Sequence, residues 1–278
     1  MTDVSEEPRE YSSHKEQILD CQPPTERVEE LQEGLLKAYG KAVVLREVPF
    51  IVFDDMNAEE LAEAFVKFPI VVKATLSCVN VAQRAIKRDL GFDFNTYSLT
   101  ISPLQASVLA GYIKPFLPPA VAVPALMELD RFFWTDKEMR SRKGNWERAV
   151  TDAINDISEH AFRKRRFECD GEVFEIDAAF PSTGEDIQVA IDVKRIESMR
   201  DIHKRADEII NKATKFKKVY ASGKFIAVVY YPFPNQHINL QSRLHSSFID
   251  EVFFAGETPS SIAVAVDLLV GALHLKKK

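Results

Sequence analysis

The sequence has little that would place it in a membrane or outside the cell. None of its apolar runs approaches the roughly 18 to 20 residues that a membrane-spanning helix requires. It begins MTDVSEEPREYSSHKEQ, which is polar and acidic and argues against a signal peptide. Its three cysteines, Cys21, Cys78 and Cys169, are odd in number and widely spaced, so they predict neither a disulfide framework nor a zinc site. We therefore expect a cytoplasmic protein without a membrane partner.

The sequence also lacks the phosphate-binding motif GxxxxGK[ST], histidines at ligand spacing and an excess of positive charge. Without that motif, a helicase or ATPase is not expected. A net charge of −6 is unlike that of a protein that coats nucleic acid. Basic residues nevertheless concentrate in four segments, 137–148, 163–166, 195–205 and 212–218. This distribution favours a phosphate backbone held in one cleft.

Two alternating segments carry the most informative pattern of the chain. The first, residues 172–180, contains Asp177. In the second, QVAIDVK, the valines and the isoleucine share one face, and Asp192 and Lys194 share the other. Strict alternation of this kind predicts two β-strands. If the strands pair through the short turn between them, Asp177 lies beside Asp192 and Lys194.

Two carboxylates and a lysine on neighbouring strands suit phosphodiester hydrolysis. Mg²⁺ is commonly bound by one or two carboxylates and keeps positions open for water and phosphate oxygens. The ion lowers the pKa of a bound water and neutralises charge on the phosphate. A lysine beside it can position the attacking water and offset phosphate charge. Glu175, Glu185 and Asp186 are competing carboxylates, and they rank below Asp177 and Asp192.

The pattern resembles the PD-(D/E)xK nuclease superfamily, which includes most type II restriction endonucleases. That family has an acidic residue at the end of one strand and (Asp/Glu)-x-Lys on the next. Asp177 matches the first position, and Asp192 and Lys194 match the triplet, while Ile176 stands where the family name has proline. The resemblance implies that Asp177 and Asp192 bind Mg²⁺ and that Lys194 activates water.

A glutamate upstream extends the resemblance. Many family members carry a glutamate on the helix before the first core strand, and GNWERAVTDAINDI at residues 144–157 fits that description. Its apolar residues, including Trp146 and Ile154, recur at helical spacing and predict a helix with one buried stripe. Glu147 lies in the first turn, and the resemblance implies a role at the metal. The alternative is a surface glutamate favoured there by the helix dipole.

Three regions are expected along the chain. Residues 1–24 are polar and are predicted to be flexible. Residues 25–135 are predicted to be mainly helical and to serve DNA recognition or dimerisation, whereas residues 136–278 would form the catalytic core with a C-terminal helix. In the helical region the patterns and caps predict a short strand or two at 43–53 and helices at 25–36, 58–68, 75–90, 103–113 and 125–134.

In the catalytic core we expect a helix over 197–220, an apolar strand over 224–231, a polar loop over 232–245 and a helix over 259–275. The order strand, strand, helix, strand matches that of the superfamily. The predicted fold class is therefore α/β (α+β), with a restriction-endonuclease-like core. This core would be a central mixed β-sheet flanked by helices, joined to a mainly helical N-terminal region.

Candidate DNA contacts lie after the triplet. Asn, Gln and Arg pair with adenine and guanine edges, and the predicted loop is rich in them; the alternative is an ordinary surface loop. Arginine and lysine near the site would contact phosphates. The candidates are Arg195, Arg200, Lys204, Asn235, Gln236, Asn239, Gln241 and Arg243.

The expected function is that of a Mg²⁺-dependent type II restriction endonuclease that leaves 5′-phosphate and 3′-hydroxyl ends on double-stranded DNA. One active site per chain predicts a symmetric homodimer on a palindrome. A DNA methyltransferase acting on the same sequence is a possible partner. Two alternatives stay open. One is another nuclease of the same fold, such as a junction resolvase, a repair enzyme or a modification-dependent nuclease; the other is a non-catalytic DNA-binding protein with a degenerate core.

Overall fold

A computed structural model describes residues 14–278, so the first thirteen residues of the predicted flexible segment 1–24 lie outside the described residues. The chain divides into two compact units. The N-terminal unit comprises residues 18–139, and the C-terminal unit comprises residues 140–278 together with residues 14–17. The protein is α/β, with helices, a three-stranded antiparallel sheet and a five-stranded mixed sheet.

The N-terminal unit is mainly helical and is built around one hydrophobic core that includes Leu35, Phe53, Phe65 and Leu109. Its sheet has the order β1 (Val43–Leu45), β2 (Pro49–Val52) and β3 (Ala120–Ala122). The helices are α1 (His14–Asp20), which begins before this unit, α2 (Thr25–Ala38), α3 (Ala58–Lys67), α4 (Val71–Cys78), α5 (Gln83–Leu90) and α6 (Pro103–Ile113).

The starts of helices α3 and α6 follow the sequence closely. The Asn57 side chain accepts a hydrogen bond from the Glu60 amide at 2.9 Å, and the Glu60 carboxylate accepts one from the Asn57 amide at 3.0 Å. Ser102 and Gln105 form the same reciprocal arrangement at α6. Each pair satisfies amides that the first helical turn leaves without partners. The predicted helices over 58–68 and 103–113 are confirmed.

The single helix predicted over 75–90 is wrong. Helix α4 ends at Cys78 and α5 begins at Gln83. Asn80 lies between them with a φ of 52°, in the left-handed region that a continuous right-handed helix does not tolerate. The apolar spacing continues across the break, so periodicity alone did not reveal it.

Helix α7 (Val123–Ile157) contains 35 residues and joins the predicted helices over 125–134 and 144–157 into one. Gly144 lies inside it, although a helical glycine costs about 1 kcal/mol relative to alanine. The predicted boundary after residue 135 and the boundary between the units after residue 139 both fall within this helix.

The C-terminal unit contains the mixed sheet. Strands β4, β5 and β6 pair antiparallel, whereas β6, β7 and β8 pair parallel. The spatial order follows the chain order. The strands are β4 (Arg163–Cys169), β5 (Glu172–Phe180), β6 (Val189–Arg195), β7 (Lys224–Tyr230) and β8 (Glu251–Phe254).

Helices cover both faces of this sheet. Helix α8 (Ile202–Val219) connects the parallel strands β6 and β7, as a parallel pair requires, and packs with α9 (His237–Leu244) on one face. The end of α7 and helix α10 (Pro259–Ala272) pack on the other. Strand β6 is therefore buried on both sides, whereas its alternation had predicted one apolar and one polar face.

The polar loop predicted over 232–245 is also wrong, because it contains α9. Leu240 and Leu244 are four residues apart and buried against the α8 face of the sheet, and their packing supplies the stability that the polar composition lacks. Within the described residues, no helix combines the length and the apolar character needed to cross a membrane.

Candidate active site

The site forms where strands β5 and β6 separate. Their antiparallel ladder ends at Ala178 opposite Ile191. On the other side of β5, two of its residues, Asp177 and Ala178, stand opposite one residue of β4, Lys164, which is a β-bulge. The Asp177 carboxylate then accepts the hydrogen bond of the Val193 amide, Oδ2 to N, at 2.9 Å. A side chain thus replaces the backbone carbonyl in the ladder, and this fixes Asp177 against β6.

Asp192 lies on the same strand as Val193 and is fully buried. The ammonium of Lys212, from helix α8, forms an ion pair with its Oδ1. Its other oxygen, Oδ2, is buried and has no hydrogen-bond partner within the described residues. A buried carboxylate oxygen without a partner is costly, and such groups are often found where a ligand or ion binds.

Lys194 follows two residues later on the face that carries Asp192. Its Nζ lies 3.5 Å from the Glu208 carboxylate of α8. Glu208 also accepts from Arg205 at 2.8 Å, and although burial acts to raise the pKa of Glu208, these cations hold it below its usual value. Helix α8 therefore provides a carboxylate for Lys194 and an ammonium for Asp192.

Sequence reasoning missed Glu208 and placed Lys212 only within a basic run. A signal was present: Glu208 and Lys212 are four residues apart on a helix whose apolar stripe is evident, so they share one helix face. That this face packs against β6 follows from the way α8 crosses the sheet between β6 and β7. The sequence pattern did not predict which residues of α8 contact β6.

The acidic residues influence one another strongly. Burial, and then the neighbouring Asp192 carboxylate, raise the pKa of Asp177 to about 6, against the hydrogen bond from Val193 and the charge of Lys212. Burial also raises the pKa of Glu147 on helix α7. The charges that act on Glu147 are Lys194, Lys164, Asp192 and Lys212. The structure thus brings all four predicted catalytic residues into one electrostatic neighbourhood.

The competing carboxylates lie outside this cluster. Glu175 is half-buried and binds Lys164 at 2.9 Å and Arg166 at 3.3 Å, and the hydrogen bond from Lys164 lowers its pKa. Glu185 and Asp186 are exposed in the turn after β5. Lys164 also approaches Asp177, Nζ to Oδ1, at 3.9 Å, so it forms the edge of the site on β4.

The donor set fits a hard divalent cation, although the described residues contain no group of three or more His, Cys, Asp or Glu side chains arranged to hold a metal. Mg²⁺ is commonly bound through one or two carboxylates, with water and phosphate oxygens completing its shell. Asp177 and Asp192 offer two carboxylates, and Asp192 Oδ2 has an unused lone pair. A cation there would also relieve the repulsion between the two acids.

The position of the Arg195 side chain does not suit the predicted contact with DNA. Its side chain is almost fully buried, its Nε donates to Glu197 at 2.8 Å, and it also pairs with Glu257. The guanidinium lies 3.9 Å from the centre of the Tyr230 ring. Arg195 therefore forms internal ion pairs within the C-terminal unit. Arg200 and Lys204, in contrast, are exposed where α8 begins.

The remaining predicted DNA contacts lie on helix α9 and the turn before it. Gln236 accepts a hydrogen bond from the Tyr231 hydroxyl at 3.2 Å, and Arg243 lies 3.3 Å from Asp207 of α8. Asn235, Asn239 and Gln241 are exposed. These side chains belong to the helical layer that also supplies Lys212, but they are not part of the acidic cluster.

Comparison of the chain with models of protein families, with curated proteins and with solved structures finds no match. Inference about function therefore depends on the geometry around Asp177 and Asp192 and on the chemistry of those side chains.

Proposed function

We propose that this protein is a Mg²⁺-dependent endonuclease of the PD-(D/E)xK type that cleaves double-stranded DNA as a type II restriction enzyme. The observation that carries the proposal is that Asp177 is hydrogen-bonded to the amide of Val193, the residue between Asp192 and Lys194, where β5 and β6 separate. The order of β5, β6, α8 and β7 supports the finer description of the fold as a restriction-endonuclease-like core.

Each residue has a defined task in this proposal. Asp177 and Asp192 hold Mg²⁺, and Glu147 assists. The bound ion lowers the pKa of water and withdraws charge from the phosphate. Lys194 orients the attacking water and offsets charge that develops on the phosphate oxygens. The Val193 amide keeps the Asp177 carboxylate in place, which limits the reorganisation needed on binding.

DNA binding would use the exposed cations around the cluster. Lys164, Arg166, Arg200 and Lys204 are suited to phosphate contacts, and the amides on and before α9 are suited to base edges. Cleavage of both strands would require two copies, so a homodimer is part of the proposal. A methyltransferase that modifies the same site would protect the host DNA.

The test is incubation of the purified protein with unmethylated phage-sized duplex DNA, with Mg²⁺ or with EDTA, followed by electrophoresis. Discrete fragments only with Mg²⁺ are expected, and Asp192→Ala should bind DNA without cutting it. A smear would indicate a nonspecific nuclease. Cleavage confined to branched or modified DNA would favour another nuclease of this fold. Equal cleavage by Asp192→Ala, or in EDTA, would refute the site.

A further inference from the structure

Helix α8 carries a charge pattern complementary to that of β6. Asp192 pairs with Lys212, and Lys194 pairs with Glu208. Residues four apart on a helix are separated by about 6 Å along its axis. Residues two apart on a strand are separated by about 6.6 Å. The two spacings match, so the helix offers one opposite charge to each member of the strand pair.

Lys212 is bound to one oxygen of the carboxylate whose other oxygen, Asp192 Oδ2, would receive the proposed metal. A buried carboxylate without a counter-charge strongly destabilises a fold, and Lys212 prevents this at Asp192 Oδ1. An ammonium and a divalent cation on the same carboxylate repel each other, and the repulsion is large where water is excluded. Binding of an ion at Oδ2 would therefore favour movement of Lys212 away from Oδ1.

Glu208 lies where it can form an ion pair with the displaced Lys212. Glu208 lies four residues before Lys212, on the same face of α8, and a glutamate in this order relative to a lysine is a favourable helical pair. The lysine stem is flexible, and the Lys212 side chain is not fully buried. A Glu208 carboxylate that accepts Lys212 would release Lys194, which it now holds at 3.5 Å.

We propose that Lys212 is a resident counter-ion of Asp192, that a divalent cation displaces it to Glu208, and that this movement frees Lys194 for the phosphate or the attacking water. Lys212 is thus a positioning residue that couples metal binding to the availability of Lys194. This inference rests on the proposed function, because it requires a divalent cation at Asp177 and Asp192.

The test is calorimetric titration of the full chain with Mn²⁺, which accepts the same oxygen ligands as Mg²⁺. Lys212→Gln removes the competing charge and keeps a hydrogen-bond donor for Asp192, which limits the loss of stability, and its folding is checked by its melting temperature. Its affinity for Mn²⁺ should exceed that of the unaltered protein by roughly 5- to 150-fold, the usual range for coupling between two ligands. Lys212→Arg keeps the charge and should stay close to the unaltered protein.

Lys215→Gln is the matched control. It removes the same charge from the same helix, but Lys215 pairs with the exposed Asp170 at 2.6 Å, away from Asp192. Its affinity for Mn²⁺ should equal that of the unaltered protein. The increase of the melting temperature on addition of Mn²⁺ should be larger for Lys212→Gln than for Lys215→Gln, because the metal replaces the missing counter-charge only in the former.

Three results would overturn the inference. Equal affinities for the unaltered protein and Lys212→Gln would show that Lys212 does not compete with the ion, and they would leave the proposed nuclease intact. Weaker binding by Lys212→Gln would show that Lys212 supports the metal instead. If neither the unaltered protein nor Lys212→Gln binds Mn²⁺, both this inference and the proposed metal site fail.

Discussion

Both units of the molecule bury a carboxylate with a cation, but they complete the pair differently. In the N-terminal unit, Asp130 receives two hydrogen bonds from the Arg27 guanidinium, at 3.0 and 2.9 Å. That guanidinium lies over the Trp134 ring, 4.3 Å from its centre. In the C-terminal unit, Lys212 contacts one oxygen of Asp192 and leaves the other without a partner.

The contrast distinguishes an ion pair that occupies its whole carboxylate from one that leaves a carboxylate oxygen available to a ligand. One guanidinium nitrogen, Arg27 Nη2, donates to both oxygens of Asp130, so little remains at this carboxylate for a ligand. An ammonium is a point charge on a flexible stem and can leave. Asp192 also has a second acid, Asp177, beside it, whereas the charges acting on Asp130 are the cations Arg27 and Lys73.

The largest expected effect is on the rate of DNA cleavage when Asp192 and Asp130 are each replaced by asparagine. Under the proposed function, Asp192→Asn should lower the single-turnover rate of DNA cleavage by about 10³-fold or more, because it would weaken the proposed metal site, which would be worth several kcal/mol. Asp130→Asn should leave the rate per folded molecule unchanged. Rates measured at saturating Mg²⁺ decide this. A rate for Asp192→Asn within tenfold of the unaltered protein (~1.4 kcal/mol) would contradict it.

The second effect is on stability in the N-terminal unit. Arg27→Met leaves Asp130 buried without its counter-charge and should lower the free energy of unfolding by about 3 to 5 kcal/mol. The chain has two tryptophans, so Trp134 fluorescence in a Trp146→Phe background reports this unit during urea denaturation. Arg131→Met, which removes an exposed pair with Glu128, is the control and should cost less than about 1 kcal/mol. Equal losses of unfolding free energy in Arg27→Met and Arg131→Met would show that the buried pair contributes no more than the exposed one.

The smallest effect depends on pH and concerns Asp177. Its pKa is about 6 in the folded protein and about 3.9 in an unfolded chain, so the folded state binds the proton more tightly. The charged carboxylate therefore destabilises the fold above pH 6, and this cost disappears as the pH falls towards 4. Asp177→Asn should raise the free energy of unfolding by about 2 kcal/mol at pH 8 and by almost nothing at pH 4.

Urea denaturation at both pH values measures the Asp177 effect. Glu175→Gln is the matched control, because Glu175 lies two residues away on the same strand but has a lowered pKa through Lys164. It should not stabilise the protein at pH 8. An Asp177→Asn effect of the same size at both pH values would show that burial of the charge is not its cause.

Much of the C-terminal unit could be predicted from local patterns. The predicted strand over 172–180 coincides with β5, and the apolar strand over 224–231 ends one residue beyond β7, because alternation and continuous apolar runs are signals within the segment itself. The same patterns placed Asp177, Asp192 and Lys194 on neighbouring strands, and the structure brings them together.

What could not be predicted depends on contacts between segments. The bulge at Asp177 arises from the pairing of β5 with β4, and β4 itself was read as a basic run because exposed cations dominate this edge strand. Strand β8 is short and gave no distinct signal. The pairing of Lys212 with Asp192 joins residues twenty positions apart and depends on how α8 crosses the sheet.

The hydrogen bond from Val193 to Asp177 makes one backbone amide an internal sensor. The Val193 proton lies against the carboxylate whose charge changes on protonation or on binding of an ion. Its resonance in an NMR spectrum would therefore report the state of the acidic cluster without any substrate, label or partner. A single peak could then follow the protonation of this cluster, and any binding of an ion to it, in solution.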